Sequence, residues 1–339
     1  MPFPPYLFIP LGLAAAMAAI TAIFHKKIDI DVPPEAPPPN GGLKTIPPEL
    51  FAKVRKIEFT NKKLVESVFS GEYHSVFKGM GMEFAEVRPY TAGDDVRAID
   101  WNVTARIGEP YIKIFEEERE LTVILMVDAS ASGAFGTAGN FKNETAAELC
   151  ATIAFAAIRN NDKVGLYIFT DTVELHIPPA KGRRHALRII REILGFRPQG
   201  KKTNIKNALE RLLHTARRAG IVFLVSDFAD AGFEPPFRVA ARKYDLIAVR
   251  IRDRAEQRLP DAGLILLRDP ETGEEVLADT GNEDLRRRYN QLAQRRDAEL
   301  TRFFQTCGVD LIEIGTEDTP TVPLEKFFKR REKKIRGSR

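Results

Sequence analysis

The stretch that decides the fold is residues 121–132, which read LTVILMVDASAS. The first seven residues include only one polar side chain, Thr122, and such a run is typical of a strand buried on both faces of a mostly parallel sheet. Asp128, Ser130 and Ser132 follow it directly. Because open α/β sheets bind ligands at the carboxyl ends of their strands, the pattern predicts a carboxylate and two hydroxyls at a ligand-binding edge.

Two later segments supply further oxygen atoms in the same context. Thr203 and Asn204 precede a helix with apolar residues at helical spacing, which places one of the two at the N-cap. Residues 221–225 form a second apolar strand, and Asp227 follows it. Carboxylates and hydroxyls are the hard donors that Mg²⁺ or Mn²⁺ accepts. We therefore predict one metal site, with the ligands Asp128, Ser130, Ser132, Thr203 and Asp227.

This ligand set resembles the metal-ion-dependent adhesion site of von Willebrand factor A domains, and the resemblance implies that fold. The remaining pattern agrees, because strand-like runs alternate with amphipathic helical segments, as a parallel sheet requires. We predict an α/β fold with a doubly wound, mostly parallel sheet over residues 121–318. A C-terminal helix and basic tail are predicted over residues 319–339.

The amino terminus predicts a membrane anchor. Residues 3–24 carry no charge over 22 positions, which is long enough to cross the bilayer as a helix, and two lysines follow at 26 and 27. We predict a single-pass inner-membrane anchor over residues 1–27, with the domain in the cytoplasm. One alternative is a cleaved secretory signal, with small-residue sites around Ala14, Ala16 and Ala18, which would export the domain. The other is a marginal interfacial segment, because Pro10 shortens the uninterrupted helix and the Ala-rich half is only moderately hydrophobic. Residues 28–48 contain seven prolines and predict a semi-rigid linker.

Residues 49–120 predict a smaller N-terminal subdomain that contains strands. Its most distinctive segment, residues 88–106, alternates three arginines with three aspartates around GDDVRAIDW. We predict a turn at Gly93 and Asp94 followed by a strand, with Arg–carboxylate pairs that fix the segment to the next domain. The alternative is a surface that binds a partner or a second ligand.

Composition excludes several classes of protein. The 51 basic and 47 acidic residues give a net charge of +4, which is too even for a nucleic-acid-binding protein. Two cysteines make no disulfide framework, and Cys150 lies on the apolar stripe of a predicted helix, so we expect a core residue. Residues 195–202 nearly match a phosphate-binding loop, but Lys202 stands where Ser or Thr should ligate the metal.

Several motifs in order resemble the bacterial family called domain of unknown function 58, over about residues 50–330. These are Gly71-Glu-Tyr-x-Ser75, Gly79-x-Gly81-x-Glu83-Phe84, the 88–106 segment, Phe115-Glu-Glu-Glu-Arg-Glu120, Asp128-x-Ser-x-Ser132 and Val225-Ser-Asp-Phe228. The resemblance implies a von Willebrand factor A-like core, association with MoxR-type AAA+ ATPases and no assigned catalytic activity.

We therefore expect a non-enzymatic, membrane-tethered adaptor with no catalytic residues. Its Mg²⁺ or Mn²⁺ would take a carboxylate from a protein partner, which the resemblance identifies as a MoxR-type ATPase or its client. With Asp128 and Asp227 as the charged ligands, we expect a charge close to zero at the metal. The alternatives are an exported adhesion domain and a Mg²⁺-dependent hydrolase, and the hydrolase would need a general base that the sequence does not identify.

Overall fold

The computed structural model describes residues 83–116, 121–134, 141–216 and 220–337. The predicted anchor (1–27), the linker (28–48) and the first part of the N-terminal subdomain lie outside these residues. None of the helices in the described ranges has both the length and the apolar composition needed to cross a bilayer.

Within the described ranges the strands and α-helices follow one another along the chain. The strands are β1 (Glu83–Pro89), β2 (Tyr111–Glu116), β3 (Thr122–Asp128), β4 (Lys163–Phe169), β5 (Val173–Ala180), β6 (Ile221–Ser226), β7 (Asp245–Arg252), β8 (Leu264–Arg268), β9 (Glu275–Asp279) and β10 (Asp310–Gly315). The helices are α1 (Trp101–Ile107), α2 (Lys142–Arg159), α3 (Arg183–Gly195), α4 (Ile205–Thr215), α5 (Glu234–Lys243), α6 (Arg254–Gln257), α7 (Glu283–Thr306) and α8 (Thr321–Gly337).

Six of these strands form the central sheet, in the order β10-β7-β6-β3-β4-β5. Every neighbouring pair is parallel except β4 with the edge strand β5, which is antiparallel. The prediction of an α/β fold with a mostly parallel central sheet is confirmed. The strands that follow β3 along the chain, β4 and β5, lie on one side of it in the sheet, whereas β6, β7 and β10 lie on its other side. The point where the strand order reverses therefore lies between β3 and β6.

The apolar run of β3 is explained by two cores, one on each face of the sheet. Val123, Leu125 and Val127 pack into the core that α2, α3 and α8 cover. Ile124 and Met126 pack into the core that α4, α5 and α7 cover. Because successive side chains of a strand point to opposite faces, a strand with helices on both faces needs apolar residues at every position.

The helices next to the strand ends follow the predicted patterns. In α2, Cys150 is completely buried, as predicted for a core residue. In α4 the N-cap is Asn204, whose side chain accepts a hydrogen bond from the backbone N–H of Asn207 (2.9 Å). Because Asn204 caps the helix, the hydroxyl of Thr203 is available for another contact.

The 88–106 segment differs from its prediction. The turn at Gly93 is present, with φ of +115°, but the strand predicted after it is wrong, because a 3₁₀ turn (Val96–Ala98) and α1 follow instead. The carboxylate of Asp100 accepts hydrogen bonds from the first turn of α1, which favours a helix there. Arg88 donates two hydrogen bonds to Asp94, at 2.7 and 2.8 Å, so this pair holds the turn on its own strand rather than on the next domain.

The antiparallel hairpin formed by β8 and β9 was not predicted from the sequence. Its inner face places Ile265 and Leu267 in a small core with Tyr289 of α7. On its outer face Leu266 and Leu277, which are paired across the hairpin, are 47% and 66% exposed. The hairpin is therefore held by one face only, outside the two large cores of the sheet.

Candidate metal centre

The ends of β3 and β6 meet at the point where the strand order reverses. The two strands are parallel neighbours, with Val127 opposite Val225. The hydroxyl of Ser226 donates a hydrogen bond to Oδ2 of Asp128 (2.6 Å) and accepts one from the backbone N–H of Phe228 (3.0 Å). The sheet therefore fixes Asp128 against the loop that carries Asp227. In open α/β sheets this is the place where ligands bind.

The loop after β3 brings two hydroxyls to the same place. Oδ1 of Asp128 accepts a hydrogen bond from the backbone N–H of Ser130 (3.0 Å). The hydroxyl oxygens of Ser130 and Ser132 lie 3.0 Å apart, and the Ser132 side chain is near enough to Asp227 to help lower the pKa of that carboxyl. Hydrogen bonds thus join Asp128, Ser130 and Ser132, and Ser226, the neighbour of Asp227, ties the end of β6 to Asp128.

Thr203, the fifth predicted ligand, contacts an acidic residue that was not predicted from the sequence. The backbone N–H of Ala131 donates to the carbonyl of Lys201 (2.9 Å), which ties the Thr203 loop to the loop after β3. The Thr203 hydroxyl donates a hydrogen bond to Oε1 of Glu271 (2.9 Å), in the turn between β8 and β9. Partial burial raises the pKa of Glu271 to about 7, and the charges of Asp227 and Asp128 add to that effect.

The two predicted carboxylate ligands lie in different electrostatic surroundings. Burial raises the pKa of Asp128, and the nearby negative charge of Asp227 raises it further. Burial acts in the same direction on Asp227, but the ammonium group of Lys142 outweighs it and holds the pKa of that carboxyl below its usual value. Asp227 is therefore firmly ionised, whereas the negative charge on Asp128 is disfavoured by its surroundings.

Lys142, the first residue of α2, was also missed by the sequence analysis. Its Nζ donates a hydrogen bond to Oδ2 of Asp227 (3.0 Å) and forms an ion pair with Glu256, and all three side chains are buried. The other oxygen of Asp227, Oδ1, accepts a hydrogen bond from the backbone N–H of Ala229 (3.0 Å). Asp227 is thus fixed in position by contacts to both of its oxygens.

These additional groups change the expected charge of the centre. Lys142 pairs with Asp227 and Glu256, and the carboxylates of Asp128 and Glu271 lie near enough for their charges and that of Asp227 to interact, so the four carboxylates and one ammonium group carry a net charge of −3 when all are ionised. Asp128 and Asp227 alone, with a divalent cation in place, would give a charge close to zero, as expected from the sequence. With the missed residues included, the charge stays negative.

Comparison with known proteins assigns the family. A family model described as "Protein of unknown function DUF58" matches residues 86–299, which is more than half of the chain and includes all five predicted ligands. The chain belongs to the DUF58 family. The match is narrower than the resemblance over residues 50–330, but it contains the 88–106 segment and the strand ends that carry Asp128 and Asp227.

Relatives of this DUF58 chain are found in mycobacteria. The uncharacterized proteins Rv1480 of Mycobacterium tuberculosis and Mb1516 of Mycobacterium bovis are each 32% identical to it over 275 residues. The alignment covers 80% of this chain and 86% of either relative. The uncharacterized protein MAV169 of Mycobacterium avium is 26% identical over 160 residues, which cover 46% of this chain and 93% of that protein.

Two solved structures resemble the DUF58 chain more distantly. The conserved hypothetical protein BatB from Bacteroides thetaiotaomicron is 14% identical, with a TM-score of 0.38 over 63% of this chain and 99% of that chain. An aerotolerance-related membrane protein from Bacteroides fragilis is 16% identical, with a TM-score of 0.40 over the same shares. TM-scores this low carry no argument about the DUF58 chain.

The donor set of the DUF58 centre fits a hard divalent cation. Among the described residues, no group of three or more His, Cys, Asp or Glu side chains has the geometry of a metal site. The predicted set contains only two carboxylates, and its other members are hydroxyls. Oxygen donors of both kinds suit Mg²⁺ and Mn²⁺. When they are ionised, the carboxylates at this edge carry an excess of negative charge, which a divalent cation would reduce.

Proposed function

We propose that this DUF58 chain is a non-enzymatic, membrane-tethered adaptor that binds a protein partner through a divalent-metal site. The site is of the von Willebrand factor A type and holds Mg²⁺ or Mn²⁺ with Asp128, Ser130, Ser132, Thr203 and Asp227. The partner is a MoxR-type AAA+ ATPase or a client of that ATPase, and it contributes an Asp or Glu carboxylate.

One observation carries this proposal. At the junction of β3 and β6 the hydroxyl of Ser226 donates a hydrogen bond to Asp128, 98 residues away along the chain, which brings Asp128, Ser130 and Ser132 to the loop that carries Asp227. A structural role would require only that each polar side chain cap its own loop. Instead, a hydroxyl at the end of β6 binds the carboxylate at the end of β3. Hydroxyls and carboxylates brought together from two strand ends support cation binding.

The chain's residues have distinct roles in this proposal. Asp128 and Asp227 supply negative charge, Ser130 and Ser132 supply neutral oxygens, and Thr203 supplies a hydroxyl from the opposite loop. A bound divalent cation would supply a Lewis acid that accepts a carboxylate oxygen. Lys142 and Ser226 hold the two aspartates in place, so the site needs little rearrangement when the partner binds.

The membrane tether and the ATPase partner rest on the sequence. Residues 3–24 are uncharged and long enough to span the hydrocarbon core. The prolines of residues 28–48 would hold the domain away from the bilayer. The association with MoxR-type ATPases is implied by the family resemblance.

The proposal is tested by affinity capture of the full-length chain from lysate, read by mass spectrometry. Wild type, Asp128→Ala and the control Asp171→Ala are each compared with Mg²⁺ and with chelator. Asp171 is an exposed carboxylate that follows β4 at the same edge of the sheet. We expect a MoxR-type ATPase or its client to be captured by wild type and Asp171→Ala in Mg²⁺, and to be lost with Asp128→Ala or chelator. Equal capture in all conditions would overturn the metal bridge.

Protease treatment of spheroplasts is the second arm of this test. With a tag at the carboxyl terminus, the tethered adaptor should be protected until the membrane is lysed. Digestion of the tagged domain in intact spheroplasts would instead support the exported adhesion domain.

A further inference from the structure

One carboxylate of β5 fastens the Thr203 loop, which comprises residues 196–204 between α3 and α4. Oε1 of Glu174 accepts a hydrogen bond from the backbone N–H of Gly200 (3.0 Å). Oε2 accepts one from the backbone N–H of Gln199 (2.9 Å). Because each oxygen binds one N–H group, the carboxylate of Glu174 fixes two consecutive residues of the loop.

The end of β4 holds this carboxylate and the loop together. The hydroxyl of the buried Thr170 donates to Oε1 of Glu174 (2.5 Å), and the carbonyl of Thr170 accepts a hydrogen bond from the backbone N–H of Asn204 (2.8 Å). The backbone of Gly200 approaches so closely that a Cβ atom there would clash with Thr170 and Asp171. The Thr203 loop therefore lies directly on the turn between β4 and β5, and this contact requires glycine at position 200.

Further hydrogen bonds join the Thr203 loop to the two loops of the metal centre. The backbone N–H of Ala131, in the loop after β3, donates to the carbonyl of Lys201 (2.9 Å). The backbone N–H of Ile205, the first residue of α4, donates to Oδ2 of Asp230 in the loop after β6 (2.8 Å). A change at β5 would therefore alter the support of the Thr203 loop without removing a proposed metal ligand.

The position of the Thr203 hydroxyl matters because it is a neutral ligand. It donates a hydrogen bond to Glu271 (2.9 Å), which leaves its oxygen lone pairs for a cation. A ligand contributes to metal affinity only when the residues around it hold it in the correct geometry.

We propose that Glu174 is a positioning residue of the metal centre, which holds residues 199 and 200 so that the Thr203 hydroxyl can reach the cation. The inference rests on the proposed function and names a residue outside the ligand set on which the affinity for metal depends. Glu174 acts through the backbone and does not bind the cation. Hydrogen bonds from N–H groups to an ionised carboxylate are about twice as strong as neutral ones, so one side chain can hold the loop.

The test uses the full-length protein with Mn²⁺ as the probe. Titration calorimetry measures the affinity, water proton relaxation measures the number of water ligands, and hydrogen exchange read by mass spectrometry measures the protection of residues 199 and 200. Glu174→Gln keeps the size of the side chain but replaces one acceptor oxygen with a donor. The matched control Glu210→Gln removes the same charge from an exposed position of α4.

We expect Glu174→Gln to weaken Mn²⁺ binding roughly tenfold, to add about one water ligand to the bound ion and to speed exchange at residues 199 and 200. Glu210→Gln should match wild type in all three measurements. Circular dichroism checks that each variant is folded. Gly200→Ala keeps the carboxylate but displaces the loop, so it should weaken binding in the same way, and it decides the test if Glu174→Gln does not fold.

A double-mutant cycle with Thr203→Ala separates positioning from a general loss of stability. If Glu174 acts through Thr203, the double variant should bind Mn²⁺ as Thr203→Ala alone does, because no ligand is left for the loop to position. If the two losses of affinity multiply instead, the positioning role is overturned.

The variant Asp128→Ala separates this inference from the proposed function. If Asp128→Ala binds Mn²⁺ as tightly as wild type, the metal site itself is wrong and the positioning role fails with it. If Asp128→Ala loses binding while folded Glu174→Gln keeps the affinity and hydration of wild type, the metal site stands and the role of Glu174 is overturned. Equal weakening by Glu174→Gln and Glu210→Gln would also overturn it, because net charge alone would then explain the effect.

Discussion

The two sides of the centre are built very differently. On the sheet side, Asp128 and Asp227 sit at the ends of buried strands, and Ser226 and Lys142 hold them by direct hydrogen bonds. On the hairpin side, Glu271 sits in a short turn on an element with only a small core and an exposed outer face.

This difference has a consequence for local stability. Elements with few buried apolar contacts open at lower free energy than the central strands of a sheet. We therefore expect the half of the centre built by the sheet to be more stable than the half next to the β8–β9 hairpin.

The largest expected effect tests how firmly the sheet side is fixed. Lys142→Met leaves Asp227 and Glu256 buried without their shared ammonium group, and removal of one partner from a buried ion pair costs about 3–5 kcal/mol. We expect a decrease of that size in the free energy of unfolding, measured in urea with chelator present. The control is Lys334→Met, because Lys334 makes an exposed ion pair worth about 0–1 kcal/mol. Equal losses of unfolding free energy for the two variants would mean that water solvates Lys142, Asp227 and Glu256.

The next effect compares the sheet with the hairpin directly. Leu125→Ala deletes a fully buried side chain of β3 and should cost about 2–5 kcal/mol in the free energy of unfolding. Leu266→Ala makes the same change on the exposed face of β8 and should cost about 0.5 kcal/mol or less. A large loss for Leu266→Ala would indicate that this face is covered in the full-length protein, and the contrast between the two regions would fail.

The smallest effect concerns the two cysteines and requires no mutation. Burial in the core beneath the sheet raises the pKa of Cys150 to about 12, so its thiol stays protonated and enclosed at neutral pH. Cys307, at the end of α7, is only partly buried. We expect a thiol reagent to modify Cys307 but not Cys150 in the native protein, and both in denaturant, as peptide mass spectrometry would show. Fast native modification of Cys150 would mean that the main core opens readily.

Much of the fold was predictable because local patterns reflect burial directly. The apolar run of β3 and the helical spacing in α4 each gave the correct element, since the same residues that form the element also face the core. The strand predicted after Gly93 was wrong because the sequence analysis counted Asp100 as an ion-pair partner. In the structure Asp100 caps α1 instead.

No comparable local pattern in the sequence indicated the β8–β9 hairpin or the charged residues that surround the centre. Residues 264–279 are two apolar runs joined by an ordinary turn. Their sequence does not indicate that Glu271 contacts Thr203, 68 residues away. In the sequence, Lys142 looks like an ordinary residue at the start of a helix. Its ammonium group nevertheless donates a hydrogen bond to Asp227, 85 residues further along the chain.

The sequence by itself therefore determined the α/β class, the buried strands and the residues at their carboxyl ends, because periodicity and strand-end position are local properties. Only the tertiary structure decided which charges stand together: Lys142 and Glu256 beside Asp227, and Glu271 beside Thr203. The physical reason is that electrostatic interactions depend on distance in space and on burial. Both are set by the packing of segments that lie far apart along the chain.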